Sequence, residues 1–311
     1  MRIVILGGYG AVGSAAAATL RQAGHEVVTI GRDASRADIA LDVVLDKPSF
    51  ASAVVGANAV VNAAGIEDIT VARVACGRGV AFIDISANAG YLSALSLVQG
   101  APVITGVGVA PGITNILADA VHTEAAGTVD IGILLGAGDS HGVAAENWTF
   151  GLLGQSFADP ESGQRIRNFS RGRRFVLPGG VRRRLLRADF SDQHDMTHVF
   201  GSPVTTSFGL DSRFATSTLA AATWFPGSAT LARRVHPRGG KDWFVTAVVR
   251  GTDTIISATG TGQSEATGVV AAAAAVRSAG LPAKATTLHR IMTLDDVGAL
   301  PGISIHRGKP V

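Results

Sequence analysis

The sequence predicts an α/β fold, a doubly wound parallel sheet interrupted by a second α+β domain with a mixed or antiparallel sheet. Three observations predict it. Short apolar runs alternate with helical stretches over the first hundred-odd residues, the pattern of repeated βα units. A glycine-rich turn joins the first strand to the first helix. Beyond residue 129 the apolar runs lengthen and come close together, which suits antiparallel pairing.

Taken in order, "RIVIL" (2–6) reads as a strand and "AVGSAAAATLRQAG" (11–24) as an alanine-rich helix ended by Gly24. "EVVTI" (26–30) is the second strand and "IALDVVL" (39–45) a third, followed by a helix near 48–55. "NAVVNAA" (58–64) is a fourth strand, with a helix through "EDITVARVACGRG"; "AFIDIS" (81–86) and "PVITG" (102–106) complete the series. Later strands are "VDIGILL", "RFVLP", "RRRLLRADF", "DWFVTAVVRGT" and "DTIISATG", with a helical stretch around 216–235 among them. A helix over 263–280, closed by Gly280–Pro282, is expected to pack back on the first helix. The expected division is a dinucleotide domain of residues 1–115 plus 264–311, and a substrate domain of residues 116–263.

Composition narrows the class. The 311 residues are 47% apolar and 16% charged, as in a compact soluble protein. No run approaches the roughly 18 to 20 apolar residues of a membrane span, and the N-terminus enters a strand without a basic leader. A cytoplasmic protein is expected. The single cysteine, Cys76, rules out an intramolecular disulfide and a cysteine-cluster metal site; it reads as a packed residue, with a catalytic thiol as the alternative. Arginine dominates the basic side, and residues 165–187 hold nine of them. Alternation about "PGG" predicts a hairpin with a solvated arginine face; an acidic-substrate site or a subunit contact is the alternative. Nucleic acid is not expected, for want of a recognition module.

Gly8-x-Gly10-x-x-Gly13 lies between a strand and a helix, as a Rossmann dinucleotide site requires. In that reading Gly8 permits the tight turn, Gly10 admits the pyrophosphate and Gly13 packs helix on strand. Tyr9, Ala11 and Val12 complete the loop, whose helix N-terminus meets phosphate charge. The nucleotide is expected to be NADP. The second strand ends in Gly31-Arg32-Asp33, with Ser35 and Arg36 close behind. A 2′-phosphate needs a cation and donors, which a guanidinium supplies together. Asp33 falls one position late for a ribose ligand and can cap the next turn. Asn62, Ala63, Ala64 and Gly65 end the fourth strand with small residues, over which a nucleotide can lie; Asn62 orients a ribose or makes a structural turn.

The segments "ILGGYGAVG…VTIGRD…VVNAAG…AFIDIS…GVAPGITNILA…GDSHGVAAENWTF" together resemble the saccharopine dehydrogenase family. The likeness spans about residues 1–155, and more weakly 240–280. It implies a Rossmann domain interrupted by a substrate domain, and NADP- or NAD-linked interconversion of a secondary amine and an imine, or a related reduction. It also implies that the loop Pro111-Gly112-Ile-Thr-Asn115 lies at the domain junction, where a helix start offers N–H groups to an anion or carbonyl. Pro111 and Gly112 are candidate substrate ligands there, and Asn115 binds substrate as a candidate catalytic residue or caps the turn. Asp84 and Ser86 belong to a strand end beside the expected nicotinamide, Ser86 as a candidate catalytic residue and Asp84 in a structural role. His141, in a turn similar to the family's, is the candidate proton donor, because an imidazole's ordinary pKa suits proton transfer, with capping or packing as the alternative. Glu146, Asn147 and Trp148 follow on a helix expected to face the cleft, Glu146 and Trp148 as candidate substrate ligands. The C-terminal segment echoes the family only loosely, so the family's substrate is not carried over.

Short-chain reductases need a tyrosine four residues before a lysine, and Leu95 stands at that distance from Tyr91. His194 and His198 have ligand spacing but no third ligand, so no metal is expected. The expected activity is NADP(H)-dependent hydride transfer to or from a C=N or C=O bond of a small metabolite, by a homo-oligomer. The alternative is an NADP(H) sensor, or a non-redox enzyme such as a cyclase with the nucleotide as scaffold.

Overall fold

The computed structural model describes residues 1–139, 149–225, 227 and 239–308. Two compact units emerge, Met1–Gly108 with Ser264–Thr293, and Val109–Gln263 with Leu294–Val311. The first opens with β1 (Arg2–Leu6), α1 (Ala11–Gln22), β2 (Glu26–Gly31), β3 (Ile39–Ala40), α2 (Lys47–Ala53) and β4 (Ala59–Asn62). It continues with α3 (Ile69–Cys76), β5 (Ala81–Asp84), α4 (Ala89–Leu95) and β6 (Val103–Thr105). β1 lies between β2 and β4, all parallel. Ile3, Val4, Ile5, Val60, Val61, Phe82 and Ile83 are fully buried, which is why these strands are unbroken apolar runs.

Side-chain caps start α2, α3 and α4. Asp46, Asp68 and Asn88 accept from the first-turn N–H groups of α2, α3 and α4, satisfying donors that lack intrahelical partners. The expected strand over 39–45 stops at Ala40. Asp42 accepts from the N–H groups of Val44 and Leu45, and that local bond competes successfully with a sheet ladder. Leu45 is consequently 84% exposed.

The second unit contains α5 (Thr114–Glu124), β7 (Val129–Leu135), β8 (Ser156–Ala158), β9 (Arg165–Arg167), β10 (Ser170–Leu177) and β11 (Val181–Arg187). It also holds α6 (Ser191–Phe200), β12 (Val204–Leu210), α7 (Arg213–Ala222), β13 (Asp242–Val249) and β14 (Ile255–Thr261). β10 and β11 form the expected hairpin about Pro178–Gly180, and β13 and β14 another. Of the helical stretch expected around 216–235, the described part starts earlier, where Ser212 caps it through the Ala215 N–H, and that helix runs to Ala222; residues 226 and 228–235 lie outside the described residues. The sequence expectation contains neither α6 nor β12. Thr205, Thr206 and Ser207 of β12 are buried, so a central strand reads as polar.

The chain then returns to the first unit with α8 (Gln263–Arg277) and β15 (Ala285–Thr287). β15 adds to the edge beside β6, giving the parallel order β15-β6-β5-β4-β1-β2-β3. α8 packs on α1 as expected: a Cβ on Gly268 would lie 2.6 Å from Ala15 Cβ and 2.7 Å from the Val12 carbonyl oxygen. The tail departs from expectation. α9 (Leu294–Gly298) and β16 (Ile303–Arg307) belong to the second unit, where β16 pairs antiparallel with β14. Residues 294–308 thus group with the second unit, whereas the expected boundary placed them with the first. The second sheet runs β10-β11-β12-β7-β13-β14-β16 and is mixed, β12 and β7 being its parallel pair.

Candidate dinucleotide site

The glycine turn lies at the carboxyl end of β1. Gly7 has φ +73° and donates to the Ile30 carbonyl at 2.8 Å. The left-handed residue that makes the tight turn is thus Gly7, one position before the expected Gly8. Gly8 serves close packing instead: a Cβ there would lie 2.3 Å from Thr29 Cγ2. Gly13 does what the motif predicts, since its Cβ would lie 2.3 Å from the Gly7 carbonyl oxygen. Gly10 is the N-cap of α1, with no side-chain cap and no acidic residue in the first turn. The N–H groups of Ala11, Val12 and Gly13 precede the first intrahelical bond, from Ser14 to Gly10. Uncapped donors and the positive end of the helix dipole fit a phosphate.

Arg36 reaches this turn. Its guanidinium lies 4.5 Å from the centre of the Tyr9 ring and donates to the Tyr9 carbonyl at 3.2 Å. Gly31 makes room, because a Cβ there would strike the Tyr9 ring at 2.3 Å. Asp33 accepts from the Ser35 N–H and hydroxyl at 2.9 and 2.7 Å, bonds that hold its carboxyl below the usual range. Asp33 thus closes a local turn that keeps Arg32, Ser35 and Arg36 exposed. On the other side, Gly7 abuts Ala63 and Ala64 closely enough that a Cβ would lie 2.9 Å from Ala64 Cα. Gly65, at φ +66°, comes next.

Asn62 points into a buried polar cluster. Its amide donates to Asp84 Oδ2 at 2.7 Å and to the Ile66 carbonyl at 2.8 Å, and its own Oδ1 is buried without a partner. Asp84 is fully buried and also accepts from the Tyr91 hydroxyl and the Ser86 N–H. Burial pushes its pKa up; the hydrogen bonds from Asn62, Ser86 and Tyr91 oppose that rise. Burial, then the neighbouring Asp84, also raise Tyr91. Ser86 lies at this cluster with its hydroxyl oxygen buried and unpaired. Tyr91 escaped the sequence reading as a site residue; the available signal was the Asn88 cap that starts its helix.

In the second unit, Asn115 is 3% exposed, and its Oδ1 accepts from the Gly112 N–H and the Thr114 hydroxyl. It ties the buried Pro111–Gly112 turn to the start of α5. His141, Glu146, Asn147 and Trp148 lie outside the described residues. His194 bonds Asp189 at 2.6 Å, and no group of three His, Cys, Asp or Glu side chains placed to hold a metal occurs among the described residues. Burial raises the Cys76 thiol to about 11, as for a packed thiol. No described helix is long and apolar enough to cross a membrane.

A model of the NAD dependent epimerase/dehydratase family matches residues 3–76, the segment that holds the glycine turn and Arg36. No curated protein matches the chain. Among solved structures, apo saccharopine dehydrogenase (L-Glu forming) from Saccharomyces cerevisiae aligns with a TM-score of 0.65 at 12% identity, over 98% of this chain and 99% of that one. An engineered D-amino acid dehydrogenase bound to NADP+ aligns with a TM-score of 0.50 at 15% identity, over 96% and 98%. At such identities the likeness is one of architecture, and it is nearly end to end: this chain has the saccharopine dehydrogenase fold.

Proposed function

We propose that the protein is an NADP(H)-dependent oxidoreductase of saccharopine dehydrogenase-like type, acting on a C=N or C=O bond of a small metabolite. The observation that carries the reading is the meeting of Arg36 with the glycine turn at the uncapped start of α1. Ala11, Val12 and Gly13 supply N–H groups to the pyrophosphate. Arg36, with Arg32 and Ser35, supplies charge and donors to a 2′-phosphate, a task for which a guanidinium fork is suited. The bound nicotinamide would supply or accept hydride, while the chain excludes water and provides the proton. Support also comes from the fold-level likeness to dehydrogenases, one of them holding NADP+.

Two measurements test this. Titration of protein fluorescence should give a much lower Kd for NADPH than for NADH, and Arg36→Ala should weaken NADPH roughly tenfold or more while barely changing NADH. Equal affinities in the native protein remove the NADP assignment. His141 is the proposed proton donor on sequence grounds: His141→Gln should lower turnover with little change in NADPH affinity. Binding of NADPH without oxidation across a panel of imines and carbonyls would favour the sensor reading.

A further inference from the structure

The nine arginines of residues 165–187 fall into two sets. Four are committed to the fold. Arg165 donates to the Ser156 carbonyl, and Arg167 to the Thr223 carbonyl. Arg173 pairs with Asp130 and Glu161, and Arg187 with Asp159. The other five, Arg171, Arg174, Arg182, Arg183 and Arg184, join Arg213 of α7 around one pocket of about 690 Å³. Among the described residues none of these six pairs with a carboxylate, and none of the residues that line the pocket is acidic. The Nε of Arg183 is buried without an acceptor.

Local structure holds this set together. Arg174 stands directly opposite Arg184 in the hairpin register, an arrangement of like charges that costs stability when nothing lies between them. Arg171 is the extra residue where the register shifts between Ser170 and Gly172, at φ +47°, and such bulges re-aim a side chain. Gly172 leaves the space Arg184 fills, since a Cβ there would lie 2.1 Å from its Nε. The floor is apolar: Phe169, Leu186 and Leu210 line it beside Trp224, which is 58% exposed and carries Arg167 on its ring at 4.7 Å.

We propose that this pocket binds a phosphorylated small molecule of about nucleotide size, its phosphates among the arginines and an apolar or planar part against Trp224. Guanidinium forks match phosphate oxygens in pairs, and several phosphate charges within a few ångströms answer a cluster that the carboxylates among the described residues leave unneutralised. The volume lies within the range of small-molecule sites. The pocket shares no residue with the dinucleotide turn and does not rest on the redox reading.

Calorimetry with inorganic tripolyphosphate tests it, on protein saturated with NADPH so that the glycine turn is occupied. Saturable one-to-one binding is expected, weakening with added salt and at least tenfold weaker in the double variant Arg174→Ala, Arg184→Ala. A thermal melt separates loss of site from loss of fold. The double variant should melt at or above the native protein without anion, because the opposed charges are gone, and tripolyphosphate should raise only the native melting temperature. Undiminished binding in the double variant overturns the proposal. Binding of heparin alone, without a saturable tripolyphosphate site, or of citrate as tightly as tripolyphosphate, overturns it as well.

Discussion

At the scale of single residues, Gly13 and Asp192 show how position turns a small change into a large one. The Cβ of Ala at 13 would meet the backbone of Gly7, which cannot swing away as a side-chain tip can. Gly13→Ala should therefore cost roughly 1–3 kcal/mol by overpacking and weaken NADPH in the same titration. Asp192 is fully buried; its Oδ1 accepts from Thr206, while its Oδ2 has no partner. Burial raises its pKa to about 6, above the unfolded value of about 3.9. A raised folded pKa means that the stabilisation is complete below the unfolded value and is lost as pH climbs through about 6, a loss on the order of 3 kcal/mol. Asp192→Asn should flatten that part of the stability curve; denaturant melts at pH 4 and pH 7 measure the difference.

At the scale of elements, the seam between α1 and α8 depends on small side chains. Ala15, Ala16 and Gly268 bring the two helices close, and the 15-residue α8 buries most of its surface. Gly268→Leu has no space to occupy, so a loss of about 3 kcal/mol or more is expected, beyond the usual cost of overpacking. Chemical denaturation followed by circular dichroism reads it out. The α/β alternation of residues 1–105 was legible because each βα unit is set by bonds and periodicities within a few residues. β12 was not. Its Thr205 and Thr206 hydroxyls donate to Asp130 and Asp192 rather than to water, and only the assembled sheet makes a polar run a central strand.

At the scale of the whole molecule, the chain crosses between its units twice and then a third time at the tail. Ending the chain at Thr293 would strip β16 from β14 and expose the ladder of the second sheet, leaving an open edge. Such a truncation should aggregate or lose the second unit's melting transition, while the first unit keeps β15 and the glycine turn. Light scattering and calorimetry during heating distinguish the two transitions.

The sequence by itself determined the parallel sheet, the glycine turn and the arginine-bearing end of β2, because strand periodicity, turn chemistry and helix starts act over short spans of chain. It also marked residues 165–187 as a basic hairpin. Only the tertiary structure decided that Gly7 rather than Gly8 takes the left-handed turn, that Asn62, Asp84 and Tyr91 share one buried cluster, and that the tail joins the second sheet. It also sorted four arginines into structural bonds and left five beside Arg213 in a pocket. Those outcomes depend on which distant segments meet, and burial and charge pairing are properties of the meeting rather than of either segment alone.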